Sequence, residues 1–165
     1  MNKKTLFITQ AAVIAAIYTV LVMVFSFASF GPIQSRVAEA LTILPYFTGA
    51  AIPGLTLGCF LSAVLTPGVH YLDMIFGTFA TLIGALLSYR LRHHKYLVAL
   101  PPILANALIV PWVLKYAYGA EDAVPLMMFT VGVGEIISAG IMGTILLIAL
   151  DKVKHIVFHN DLAVK

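Results

Sequence analysis

Residues 38–66 read AEALTILPYFTGAAIPGLTLGCFLSAVLT, and the fold turns on whether this stretch is one helix or two. It is apolar apart from Glu39 and a few hydroxyls, but Gly49, Pro53 and Gly54 interrupt it. Either it forms one long kinked helix, or two short helices meet at a turn. Charge decides between them. Lys3 and Lys4 precede the first apolar run, and Arg90, Arg92, His93, His94 and Lys95 follow the run at 72–89. The positive-inside rule places both clusters on the cytoplasmic side, so an even number of crossings separates them. Only the two-helix reading supplies that number.

The other expected spans are Leu6–Phe30, Leu72–Tyr89, Tyr96–Tyr116 and Val124–Leu150. Six crossings follow, with both termini cytoplasmic. The cytoplasmic side then carries Lys3, Lys4, Arg90, Arg92, Lys95, Lys152, Lys154 and Lys165 against Asp151 and Asp161, a balance of +6. Arg36 and Lys115 against Glu39, Asp73, Glu121, Asp122 and Glu135 leave −3 for the outer half, and the two together give the net +3. The two middle helices are short: about 15 residues cover about 22 Å, less than the ~30 Å hydrocarbon thickness. They either border a cavity or lie buried in a thinned bundle.

Composition points the same way. Of 165 residues, 61% are hydrophobic and only 10% charged, against about a quarter charged in soluble domains. Mean hydropathy is +1.01. Six short-looped spans use the whole length, so residues 1–165 are expected to form a single transmembrane domain in the cell membrane. The charge is too small and too scattered to suggest nucleic-acid binding. The run after Lys4 is too long for a secretory signal core and reads as a retained span. Cys59, the single cysteine, reads as a packed small residue.

Glu135 is the one charge in the run from Val124 to Leu150. A carboxylate at mid-span costs about 2.5–3.5 kcal/mol on insertion scales, so it faces a cavity, a partner or a ligand. Asn106 lies at matching depth in the preceding span, each residue being roughly 15 Å from the outer end of its helix. The two either line one polar pocket or bond to each other across the helices. Gly132 and Gly134 leave the backbone beside Glu135 open to a flat ligand. Trp112 either stacks on an aromatic ligand or belongs to the interfacial aromatic belt.

On the outer side, Arg36 and Glu39 are spaced (i, i+3) and either pair at a helix start or meet a ligand. Gln34 lies in the same loop and can close over a bound molecule. Asp73 suits the N-terminus of its helix with or without a ligand, and Tyr71 beside it is an outer-loop aromatic. His93-His94 reads as a solvated basic turn, and no metal site is expected. No nucleophile–base spacing, GxSxG, HExxH or phosphate-binding loop is present, so neither catalysis nor ATP hydrolysis is expected of this chain. Ala11, Ala12, Ala15 and Ala16 form small-xxx-small pairs on the first helix, suited to close helix packing inside the bundle or against a partner.

Six short-looped spans with an Ala-rich first helix resemble the S components of energy-coupling factor (ECF) transporters. Within that group, Gly31–Pro45 (GPIQSRVAEALTILP) resembles the loop and second-helix signature of the QueT family. Asp73–Gly77 (DMIFG), Leu100–Asn106 (LPPILAN) and Gly132–Glu135 (GVGE) resemble its later motifs. The resemblance implies an all-α, six-helix S-component bundle that captures a 7-deazaguanine queuosine precursor from outside the cell. It also implies partners, namely a membrane coupling subunit and two cytoplasmic ATPases, with no cofactor or metal. A carboxylate accepts the paired N–H donors of a guanine-type edge, and an amide both donates and accepts. Glu135 and Asn106 are the expected recognition pair, with Trp112, Gln34, Arg36, Glu39, Asp73 and Tyr71 as further candidates. Asp73 or Glu39 would meet a cationic substituent, and Ala11, Ala12, Ala15 and Ala16 would dock the coupling subunit. The alternatives are an S component for another vitamin or heterocycle, or a small membrane protein with a structural role.

Overall fold

The computed structural model describes residues 2–25 and 36–158, and every element among them is helical. Helix α1 spans Lys3–Val24, opened by Asn2, whose side chain accepts the Lys4 N–H. The expected continuation of this span to Phe30 lies, beyond Phe25, outside the described residues. A 3₁₀ segment follows at Val37–Tyr46, then α2 at Ala51–Leu65, α3 at Tyr71–Arg90 and α4 at Leu100–Tyr118. The last rod is compound: α5 at Val124–Glu135, a π-helical stretch at Ile136–Met142, and α6 at Gly143–Val157.

Four of these lengths are long and apolar enough to cross a membrane: Lys3–Val24, Tyr71–Arg90, Leu100–Tyr118 and Val124–Lys154. The 3₁₀ segment and α2 are apolar but shorter. Residues 38–66 are therefore two helices, parted at Phe47–Ala50. Much of the outside is apolar: Ile8, Val13, Ile17, Val20, Phe79, Leu108, Phe129, Ile141 and Ile145 are all exposed. A surface of this kind suits hydrocarbon rather than water. The chain is a multi-pass membrane protein.

Contacts fix the relative directions of α1, the 3₁₀ segment and α2. Gly54 of α2 faces Ala11 and Ile14 of α1, and Gly58 faces Ala15 and Tyr18, so α1 and α2 run parallel. The 3₁₀ segment returns between them. Glu39 near its start meets Tyr18, whereas Thr48 just past its end donates to Gln10 Oε1 at 3.1 Å. One end of the bundle gathers Gln10, Thr48, the Phe47–Phe158 ring stack and the Lys95–Asp151–Lys154 ion cluster. The opposite end gathers Arg36, Asp73, His70 and Tyr118.

The 3₁₀ segment is the hub. It packs against α1, α2, α3, the π stretch and α6, and Ala38–Pro45 are all buried. A 3₁₀ helix rises about 2.0 Å per residue, so ten residues reach about 20 Å where an α-helix reaches about 15 Å. Thr42 donates to the Glu39 carbonyl at 2.6 Å, and Pro45 has no N–H to offer an α-helical bond.

Missing side chains make the close crossings possible. A Cβ on Gly58 would lie 2.8 Å from Tyr18 Cβ and 3.0 Å from the Ala15 carbonyl oxygen. A Cβ on Gly84 would lie 2.9 Å from Pro102 Cα, where α3 meets α4. Ala11 and Ala15 are buried in the first of these crossings, while Ala12 and Ala16 on the same helix are exposed. The α3 row Gly77, Thr81, Gly84 and Ser88 is buried, and Ser88 donates to the Val98 carbonyl at 2.7 Å.

Gly58→Val therefore forces α1 and α2 apart, and overpacking of this kind costs about 1–3 kcal/mol. Thermal unfolding of the detergent-solubilised protein should show Tm lowered by several degrees. Gly132→Ala is the control: its Cβ would meet Ala107 Cβ at an ordinary 3.7 Å, and removing helical glycine entropy contributes up to about 1 kcal/mol. A Gly58→Val protein as stable as wild type would contradict the tight crossing.

Candidate ligand site between two irregular helical segments

Two carboxyl groups lie inside this apolar bundle. Glu135 is 3% exposed and Glu39 1%. Each is carried on an irregular turn: Glu39 on the 3₁₀ segment, Glu135 at the junction of α5 with the π stretch. In the π stretch the Gly143 N–H reaches the Ser138 carbonyl, five residues back. Such bulges occur often at functional sites, because a widened turn re-aims the side chains around it.

Asn106, 3% exposed, stands beside both carboxyl groups. It lies twelve residues from the end of α4 at Tyr118, and Glu135 eleven from the start of α5 at Val124. Both are thus about 17–18 Å from the ends of their helices. The depth match expected from sequence brings them together. Gly132, three residues before Glu135, faces Ala107 of α4 and keeps the two helices close.

Glu39 is where sequence and structure diverge. Its (i, i+3) spacing to Arg36 suggested an ion pair, and a 3.0-residue turn does set Arg36 in the row above Glu39. The Arg36 guanidinium nevertheless reaches Asp73 Oδ2, at 4.0 Å. Glu39 instead accepts a 2.6 Å hydrogen bond on Oε1 from the buried Tyr18 hydroxyl. Tyr18 was not among the expected site residues. Its signal in the sequence is a single phenol in the middle of an apolar span, which needs a polar partner once buried.

One atom of each acid remains. Glu39 Oε2 and Glu135 Oε2 are buried and have no hydrogen-bond partner among the described residues. A buried polar atom left unsatisfied costs about 1–3 kcal/mol, and more when charged. Two such atoms flanking one amide form an acceptor-rich centre suited to a donor-rich ligand.

The end of the bundle that carries Arg36 is tied by a second network. Tyr118 donates to Asp73 Oδ2 at 3.1 Å and accepts the His70 N–H at 3.0 Å, while His70 Nδ1 caps α3 by accepting the Leu72 N–H. Asp73 thus joins Arg36 to Tyr118 above the two glutamates. Tyr71 is 63% exposed and contacts only the His70 ring among the described ring pairs. Trp112 is 46% exposed, stacks on Tyr116, and lines an outward apolar groove with Leu72, Phe76, Leu108, Ile109 and Val113. Six residues along α4 turn it about 120° away from Asn106. Gln34 lies outside the described residues.

A family model described as QueT transporter matches residues 8–152. The queuosine precursor transporter QueT of Lactococcus lactis subsp. cremoris (strain MG1363) is 37% identical over 101 residues. That match covers 58% of this chain and 59% of the relative's own length, so the chain aligns with somewhat over half of that protein. No solved structure matches. The family match runs through every helix described above, including the segments that carry Glu39, Asn106 and Glu135, and the chain belongs to the QueT transporter family.

Proposed function

We propose that this chain is the substrate-capture (S) component of an ATP-driven ECF importer and binds a 7-deazaguanine queuosine precursor from outside the cell. The observation that carries the reading is the buried Glu135–Asn106 pair, with one carboxylate oxygen unpartnered among the described residues. Glu135 accepts the ring N1–H and the exocyclic amino group of the base, and Asn106 serves its remaining polar edge. The Lactococcus relative is named for queuosine-precursor transport, which agrees with that chemistry.

In this reading all six passes cross the plasma membrane with both termini cytoplasmic, and the short 3₁₀ segment and α2 sit where the protein interior replaces lipid. The end with Arg36, Asp73 and Tyr118 faces outward. The ligand reaches the glutamates when that end opens. ATP hydrolysis belongs to two cytoplasmic partner subunits, reached through a membrane coupling subunit. Ala12 and Ala16 are the exposed half of the alanine pattern and form the docking face, while Ala11 and Ala15 serve the crossing with α2.

Three measurements test this. Cysteine labelling in intact cells should modify a probe at Ala120 directly and one at His94 only after permeabilisation. External labelling at His94 would reverse the orientation.

Ala12→Leu or Ala16→Leu should abolish cellular uptake while the purified component still binds ligand, because bulk at a close crossing blocks approach. Normal uptake by both variants places the docking face elsewhere.

Glu135→Gln replaces one acceptor by a donor and faces the ligand's donors with it. The loss should be about 2–4 kcal/mol, roughly 30- to 700-fold in Kd, with fold stability unchanged or improved. Calorimetry with a 7-deazaguanine reads it. A purely structural Glu135–Asn106 bond predicts the opposite, since Gln–Asn still bonds; unaltered affinity removes Glu135 from the site.

A further inference from the structure

The one tryptophan of the chain lies on the outside of the bundle. Trp112 stacks on Tyr116, and with Leu108 the pair forms one wall of a groove whose other wall is Leu72 and Phe76 of α3. The groove holds about 470 Å³ and its lining is almost wholly apolar. It exists because α3 and α4 separate toward this end. A Cβ on Gly84 would lie 2.9 Å from Pro102 Cα of α4. One on Gly77, two turns away on the same face of α3, would meet only Asp73 Oδ1 of its own helix within 4 Å. Tyr118 closes the remaining gap at the end, donating to Asp73 Oδ2.

On a multi-pass membrane protein such a groove faces hydrocarbon, and shape decides what fills it. Partner helices approach closely where Gly, Ala, Ser or Thr let the backbones meet. None of these lines the groove, whose walls are large aliphatic and aromatic side chains. A channel between two rows of large side chains suits a thin, flexible chain instead. Leu108, Trp112 and Tyr116 follow one another at (i, i+4), a strip about 12 Å long. It runs along the helix axis, close to the direction in which acyl chains lie in a bilayer.

Lys115 supplies the polar end. It follows Trp112 by three residues and Leu108 by seven, which sets it at the rim of the same face. It is exposed and forms no ion pair or hydrogen bond among the described residues. The other cation of this end, Arg36, is paired with Asp73. Glu121 and Asp122 lie in the next loop, and neither pairs with Lys115 among the described residues. A lysine stem runs along apolar surface while its ammonium reaches headgroup level, the level at which Trp and Tyr collect. A phosphodiester accepts the N–H donors of that ammonium. A zwitterionic headgroup brings a cation of its own against Lys115, whereas an anionic one does not.

We propose that the α3–α4 groove is a binding site for an anionic phospholipid, with one acyl chain along Leu108, Trp112 and Tyr116 and the phosphate on Lys115. The site is separate from the buried glutamates and does not depend on what they bind.

Bromine quenches indole fluorescence at near contact, and Trp112 is the only indole, so its emission reports the groove directly. The purified protein in detergent is titrated with phosphatidylglycerol brominated on its acyl chains, and separately with phosphatidylcholine brominated in the same way. Half-quenching should need about fivefold less phosphatidylglycerol, the worth of one lysine at a lipid surface. Native mass spectrometry should show one phosphatidylglycerol retained per monomer. Lys115→Gln should bring the two lipids to within about twofold of each other. Lys4→Gln removes an equal charge from the exposed first turn of α1 and should leave the preference intact. Equal quenching of wild type by both lipids shows only the ordinary lipid annulus and overturns the proposal. A retained phosphatidylglycerol that leaves Trp112 unquenched lies elsewhere and overturns it too. An undiminished preference in Lys115→Gln removes the headgroup contact on which the selectivity rests. A lipid-free dimer would give the groove to a second copy of the chain.

Discussion

Keeping two carboxyl groups inside an apolar helical bundle is the constraint on which the rest of this structure depends. Each must find hydrogen-bond donors in the protein or offer its oxygens to something that arrives. The bundle meets half of that demand. Tyr18 binds one oxygen of Glu39, and Asn106 stands beside both acids. The two Oε2 atoms have no hydrogen-bond partner among the described residues, so the centre presents acceptors.

The irregular helices follow from the same demand. The 3₁₀ geometry stretches ten residues through the middle of the bundle and buries Ala38–Pro45, which carries Glu39 inward from the end that holds Arg36. Regular α-helix over the same residues would be about 5 Å shorter. The π stretch changes the phase of the last rod just after Glu135, and Gly143 then meets Ile43 and Ala40 of the 3₁₀ segment. The two irregular segments pack against each other, so the placement of either acid depends on the other's backbone.

Small residues let the surrounding helices close on this centre. The contacts of Gly54 and Gly58 with α1 set the height of Tyr18, and through it the plane of the Glu39 carboxylate. Packing between α1 and α2 thereby bears on the polar geometry around Glu39. The alanines of α1 divide the same way, one pair turned into the bundle and one pair out of it. A single helix thus joins the interior centre to an external face.

The sequence by itself determined the helical class, the separation of residues 38–66 into two helices, and the depth match of Glu135 with Asn106. These follow from hydrophobic run length, from Gly and Pro positions, and from a 1.5 Å rise, all local quantities that a linear chain displays. It did not reveal that Glu39 bonds Tyr18, or that the ion pair of Arg36 is with Asp73. Those outcomes depend on helix phase. A 3₁₀ segment advances about 120° per residue and a π turn fewer degrees than the 100° of an α-helix, so an irregular stretch rotates the faces beyond it. Which partner a side chain then meets is set by the packing of neighbouring helices, and only the tertiary structure decides it.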